Sequence, residues 1–437
     1  MVSYNPAICS TVYCSMTSFF MSIIFTILAY FTDEELLKQK TTKELNQAMK
    51  SSDYDVRVYY SARGILRLVL EKIYLSNPSN KQTLTIGCNS IHAKPMQKAI
   101  KSFEKDHPGC EIRYIFINMN SKYSFDHIPN DLANCDILIL YHLWGFVYDY
   151  DKIIQVANDA NILVFEDLVQ GGGMVPHSKD PYLGHKGSDV IVWSGAADKT
   201  ISTIGNGFFI DKSEFLTETF IDQHSNGRQS SSERLEKLLW SLLVLIVLRN
   251  PLHLFGIFIT MIHKLGYNVL DTTNWLLSNR GKSFDHAVTI AKPSLAALYS
   301  VRFTLWMDDY TRIERQDKEK LKLFLQNLSH DVWESFFPHH ANRSSDKTDY
   351  FMKGISEFFY CFDPYGKLQS FMDKQGFICV QQQSWMAFQN DRPESSEQIL
   401  LDGMLLLPNF HNMRNNEIAR LAGLLNEYYR VSKEKTD

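Results

Sequence analysis

The chain has 437 residues, long enough to bury a sizeable core and to form one large and one small domain. Its apolar share of 45% and charged share of 22% are those of a globular protein. A formal charge of −4 with mixed signs and no Lys/Arg-rich run argues against nucleic acid as a partner. The seven cysteines are odd in number and lack C-x-x-C spacing, which points to reduced thiols and no zinc site.

Residues 1–32 carry no charged side chain, and residues 16–31 (MTSFFMSIIFTILAYF) are almost wholly apolar. The run is slightly short of the ~20 residues a spanning helix needs. No basic segment precedes it, so it is a poor secretory signal. Three readings stay open: a membrane anchor, an interfacial helix, or a helix packed on a partner subunit. Residues 33–52 read as a polar helical connector. Residues 56–60 read as a short strand, followed by Ser61-Ala62-Arg63-Gly64 at the start of an amphipathic helix with Leu66, Leu70 and Ile73 on its buried face.

Residues 83–88 (TLTIGC) form a strand pattern leading into Asn89, Ser90, Ile91 and His92, and a helix runs from Pro95 through Phe103. Residues 111–117 and 136–141 (DILILY) are further strands, the second followed by His142-Leu143-Trp144-Gly145-Phe146. Residues 149–159 read as a helix. Residues 162–165 are an apolar strand ended by Glu166-Asp167, and residues 190–193 are another, ended by Ser194. Short apolar strands alternating with helices imply βαβ units, a mostly parallel sheet, and ligands at the strand C-termini. Asp167, Ser194 and the His142 turn fall along that one edge.

Lys199 follows Ser194 after the small residues Gly195, Ala196 and Ala197. A lysine, an upstream aspartate and a serine in a small-residue loop are the parts needed to hold pyridoxal phosphate. The amine forms a Schiff base with the aldehyde, the carboxylate keeps the pyridine nitrogen protonated, and the hydroxyl with nearby N–H groups takes the phosphate. From residue 211 to about 285, two apolar runs at 238–248 and 252–262 are split by Arg249-Asn250-Pro251. Each is too short to span a bilayer alone, and the proline separates them into two helices. A buried or dimer-interface hairpin is favoured over one that dips into a membrane.

In order and spacing, Glu166-Asp167-Leu168-Val169-Gln170, Ser194 through Lys199, and Gly205-Asn206-Gly207 resemble the DegT/DnrJ/EryC1/StrS sugar aminotransferases. That family is a branch of the fold-type I pyridoxal-phosphate enzymes. The resemblance covers roughly residues 55–429, apart from 211–285. It implies an α/β fold: a large domain with a mostly parallel sheet and a smaller α+β C-terminal domain. The expected divisions are a segment over 1–50, a cofactor domain over 51–290 with an apolar helical insertion near 233–265, and a small domain over 291–437.

It also implies roles. Lys199 is the catalytic Schiff-base residue. Asp167 pairs with the pyridine nitrogen, and Gln170 hydrogen-bonds near the ring hydroxyl. Ser194 and the Ser61, Ala62, Arg63 turn bind phosphate, with Ala62 standing where glycine is usual and Asn206 likewise replacing a glycine. His92 is the candidate for stacking on the ring. Asn268, in Gly266-Tyr267-Asn268, is the candidate for reaching the partner's cofactor phosphate. The implied reaction is transamination between glutamate or glutamine and a nucleotide-linked keto sugar, in a cytoplasmic or membrane-associated homodimer. Two alternatives stay open: a pyridoxal-phosphate enzyme of other chemistry acting at a membrane, and a non-catalytic scaffold with the same fold.

Overall fold

The computed structural model describes residues 33–51, 53–76, 83–119, 125, 127–143, 147–170, 182–195, 206–225, 292–293, 298–299, 301–302, 305–306, 310–338, 360–377, 379–381, 385–387, 401–408 and 413–434. The apolar segments at 16–31 and 238–262 lie outside them. Among the described residues, no helix is long and apolar enough to cross a membrane.

A seven-stranded sheet organises the molecule. Its strands are β1 (Arg57–Tyr59), β2 (Thr83–Asn89), β4 (Glu111–Ile117), β5 (Ile137–Tyr141), β6 (Leu163–Asp167), β7 (Val190–Gly195) and β8 (Asn206–Asp211), in the spatial order β1-β8-β7-β6-β5-β2-β4. β8 runs antiparallel to both its neighbours, β1 and β7, and the other strand pairs of this sheet among the described residues are parallel. Every residue of β5 is buried, as a central strand covered on both faces requires, whereas the edge strand β4 exposes Glu111 and Arg113. The strands follow the apolar runs closely. The differences are that β6 carries Glu166 and Asp167 inside its last turn of pairing, and that the helix expected over 149–159 starts at Asp151.

Parallel register puts alternate residues on opposite faces. Tyr59, Cys88, Tyr141, Phe165, Val192 and Phe209 face the helices α2 (Ala62–Leu75) and α3 (Lys94–Asp106), whose buried residues join the same core. In α3, Met96, Ala99, Ile100 and Phe103 follow the three-four spacing of one helical face. Ile191, Trp193, Phe208 and Ile210 face the other way, against Leu45, Ala48 and Met49 of α1 (Glu34–Met49) and against Val301 and Leu305. The chain steps from β2 out to β4, then returns through β5, α4 (Asp151–Asp159), β6 and β7. The winding therefore reverses between β2 and β5, where open α/β sheets hold ligands.

The helix α5 (Glu218–His224) follows β8. Toward the C-terminus come α6 (Tyr310–Asn327), α7 (His330–Phe336), β9 (Tyr360–Phe362), α8 (Leu368–Lys374), β10 (Val380–Gln381), β11 (Trp385–Ala387), β12 (Met404–Leu406) and α9 (Asn415–Lys433). The antiparallel sheet β10-β12-β9 is shared between two cores. Tyr360, Met404 and Leu406 pack with the large sheet, while Cys361, Leu405 and Leu407 pack with Phe324, Trp333, Phe336, Leu421 and Leu425. A second link is β3 (Ile91–Ala93), which pairs with β11, His92 opposite Met386. Cys88, Cys110, Cys135, Cys361 and Cys379 are all buried, and burial raises the thiol pKa of Cys88, Cys135, Cys361 and Cys379.

Candidate functional site

The C-terminal ends of the parallel strands and the start of β8 lie along one edge of the sheet. Asp167 is the last residue of β6, in register with Tyr141 on β5 and Val192 on β7. It is 2% exposed, and its Oδ1 accepts the N–H of Val169 at 2.8 Å, which closes an Asx turn beyond the strand. Gln170 follows, half-buried. Ser194, two residues past Val192, shares the face of Asp167, and strand spacing puts their Cα atoms about 8 Å apart.

Ser194 pairs with Gly207 on β8, and Gly207 pairs in turn with Tyr59 on β1. Gly207 then touches the start of α2. A Cβ on it would lie 2.4 Å from Ala62 N and from Ser61 C, so only glycine lets the strand approach this closely. Ser61 caps α2, its Oγ accepting the N–H of Gly64 at 3.1 Å. Helix geometry leaves the N–H groups of Ala62 and Arg63 without intrahelical acceptors, and the helix dipole favours negative charge beside them. The Arg63 guanidinium is half-buried, and burial lowers its pKa. Asn206, 4% exposed, pairs with Gly195.

On the other side of Asp167, Tyr141 is fully buried, and among the described residues its hydroxyl has no hydrogen-bond partner. Burial raises its pKa well above the usual phenol value. The His92 ring lies 6.5 Å from it, centroid to centroid. Burial pushes the His92 imidazole down to about 3, so the ring is neutral at physiological pH. Asn89 ties the neighbouring strands together: its Oδ1 accepts the N–H of Tyr141 at 3.0 Å and its Nδ2 donates to Tyr150 Oη at 2.7 Å.

The opposite face of β6 holds Glu166, whose side chain is wholly buried. Oε1 accepts from His142 Nε2 at 2.8 Å and from Tyr182 Oη at 2.9 Å. Oε2 accepts from the N–H of His185 at 2.8 Å and from Ser188 Oγ at 2.7 Å. Burial pushes the carboxyl up, but the hydrogen bond from His142 and its neighbours outweigh that and hold it below the ordinary carboxylate range.

The structure thus places Asp167, Ser194, Ser61, Ala62 and Arg63 along one edge, with His92 across Tyr141 from Asp167 and Gln170 just beyond the strand. Lys199 and Asn268 lie outside the described residues. The Glu166 cage and the Tyr141 hydroxyl were not read from the sequence, where their signal is a polar group inside or ending an apolar strand run.

No family model matches the sequence, and no curated protein sequence matches it. Solved structures do. An aminotransferase from Psychrobacter cryohalolentis has a TM-score of 0.61 at 12% identity, covering 98% of this chain and 100% of that one. DesI, determined with its TDP-sugar product, has a TM-score of 0.57 at 11% identity, covering 100% and 96%. A DegT DnrJ EryC1 StrS aminotransferase from Brucella abortus has a TM-score of 0.56 at 10% identity, covering 94% and 95%. The backbone likeness runs nearly the full length of both chains despite the low identity, and the chain therefore has the fold of the fold-type I pyridoxal-phosphate-dependent aminotransferases.

Proposed function

We propose that this chain is a pyridoxal-phosphate-dependent aminotransferase that moves an amino group from glutamate or glutamine to a nucleotide-linked keto sugar. The observation that carries the reading is the row Ser61/Ala62–Gly207–Ser194 beside Asp167. A close backbone approach, a helix start and a hydroxyl make an anion cradle one strand away from a buried carboxylate. That donor set fits pyridoxal phosphate, which supplies an aldehyde for an amine and a ring that withdraws electrons from the attached carbon.

The chain's own groups divide the remaining work. Ser194 Oγ, Ser61 and the N–H groups of Ala62 and Arg63 bind the phosphate, with the Arg63 charge beside them. Asp167 holds a proton at the pyridine nitrogen, and its low exposure keeps water from competing for that contact. Gln170 would hydrogen-bond near the ring hydroxyl, and the neutral His92 ring would stack on the cofactor ring. Lys199 Nζ would anchor the aldehyde carbon until the amino donor's nitrogen displaces it, and the freed amine would then take the proton from the donor carbon and return it, as general base and acid. DesI, determined with its TDP-sugar product, shares this fold, which supports a sugar nucleotide as the acceptor class. A homodimer, with Asn268 reaching the partner's phosphate site, belongs to the same reading. Membrane contact through 16–31 and 238–262 is its open extension.

Absorbance spectra of the purified protein with pyridoxal phosphate, beside Lys199→Ala, each treated with borohydride, test the reading. The expected result is a reducible band in the wild type that Lys199→Ala lacks. Folded wild type without such a band would leave a non-catalytic scaffold as the better account.

A further inference from the structure

We propose that Glu166 is a positioning residue for Asp167. It clamps the turn after β5 and the segment before β7 onto the far face of β6, and so fixes where the Asp167 carboxylate sits. The inference rests on the reading of Asp167 as a cofactor-binding carboxylate, and concerns what holds that carboxylate in place.

Four donors from two separate stretches of chain converge on this one buried carboxylate. His142 comes from the turn after β5, and Tyr182, His185 and Ser188 come from the segment before β7. Each oxygen takes two, which fills the usual acceptor capacity of a carboxylate. His142 is the link to the site. Its Nδ1 accepts the N–H of Tyr148 at 2.9 Å, so the ring proton sits on Nε2 and donates to Glu166. Its backbone N–H donates to the carbonyl of Asp167 at 3.0 Å. One residue thus grips Asp167 through the main chain and Glu166 through the side chain.

The other side of the clamp is equally constrained. Gly184 has φ +82, and a Cβ there would lie 2.8 Å from Glu166 Oε2 and 2.6 Å from Ile191 Cδ1. Lys212 Nζ donates to the carbonyl of His185 at 2.6 Å, which brings a cation to the back of the cage. Side-chain alternation puts Glu166 and Asp167 on opposite faces of β6, so Glu166 cannot touch a ligand held at Asp167. Whatever it contributes there it contributes through position.

Tyr182→Phe and Ser188→Ala each remove one donor and leave the carboxylate in place, and Glu166→Gln replaces an acceptor by a donor that faces donors. Three readouts are taken at a temperature where each variant is fully folded. They are the affinity of the cofactor-free protein for pyridoxal phosphate, the visible circular dichroism of the bound cofactor, and amide exchange in the 142–148 and 182–188 stretches without cofactor. The expected result is affinity about three- to tenfold weaker for Tyr182→Phe, a reduced dichroic signal and faster exchange in both stretches. If Glu166→Gln does not fold, the two single-donor variants carry the test. Variants that lose thermal stability but keep wild-type affinity and dichroism would overturn the inference, leaving a purely structural cage. Wild type that fails to bind pyridoxal phosphate at all would sink the reading of Asp167 instead, and the exchange measurement would still report on the clamp.

Discussion

Gly207 shows how much can depend on one missing methyl group. The atoms a Cβ would strike are backbone atoms of Ser61 and Ala62, which cannot swing aside as a flexible side chain would. Gly207→Ala must therefore push β8 and the start of α2 apart, at a cost of about 1–3 kcal/mol in urea unfolding. The same separation should open the proposed phosphate cradle. Binding of pyridoxal phosphate should fall more than binding of dephosphorylated pyridoxal, measured by titration of each. Equal losses for both ligands would show that the approach serves packing alone. Asp167 and Ser194 were legible in the sequence because each is a polar residue ending an apolar run, and strand C-termini are where such sheets bind ligands. Gly207 was legible only as part of a family pattern, since nothing local announces that a helix start will lie against it. Tyr141 was hidden for the opposite reason: an aromatic residue in a strand reads as core, and burial of its hydroxyl is a fact of the neighbours.

Among the elements, β6 shows the limit of period-two reading. Its apolar residues marked the strand, but the glutamate after them read only as the end of the run. It is buried instead because four donors arrive from residues 142 and 182–188, a convergence that depends on the whole βαβ winding. The protonation chemistry of that carboxylate is testable. Its folded-state pKa lies below the ordinary 4.5. Its stabilising contribution is therefore fully present above about pH 4.5 and is lost as the pH falls through the lower folded value. The difference in unfolding free energy between wild type and Glu166→Gln should be constant near neutrality and shrink steadily below about pH 4.5. A difference that grew on acidification would contradict the assignment of Glu166 as a hydrogen-bonded anion. The pairing of β3 with β11 was likewise beyond the sequence, because short strands so distant along the chain carry no mutual signal.

At the scale of the whole molecule, the proposed boundary near residue 290 divides the chain but not its packing. The small antiparallel sheet gives alternate residues to each core, and β11 is paired with a strand of the N-terminal half. Two bodies sharing a sheet in this way should unfold together. Urea denaturation followed by far-ultraviolet dichroism and by tryptophan fluorescence, to which Trp193 and Trp333 report from different cores, should give coincident transitions. Two separated transitions would mean that the shared sheet belongs to one body only.

The reversed strand of the large sheet has one more consequence. Because β8 reverses direction, Gly195 and Asn206 face each other at the same edge, so the ten residues between them leave that edge and must come back to it. Lys199 is four residues beyond Gly195, and whatever path the chain takes its Cα stays within about 14 Å of that strand end. On the proposed reading of Lys199, its amine would be a tethered reagent. Its local concentration at the cradle is on the order of millimolar or more by connectivity alone, before any side chain is ordered. Two strands paired antiparallel at that edge would supply proximity as a property of topology, leaving only orientation for the surrounding residues to provide.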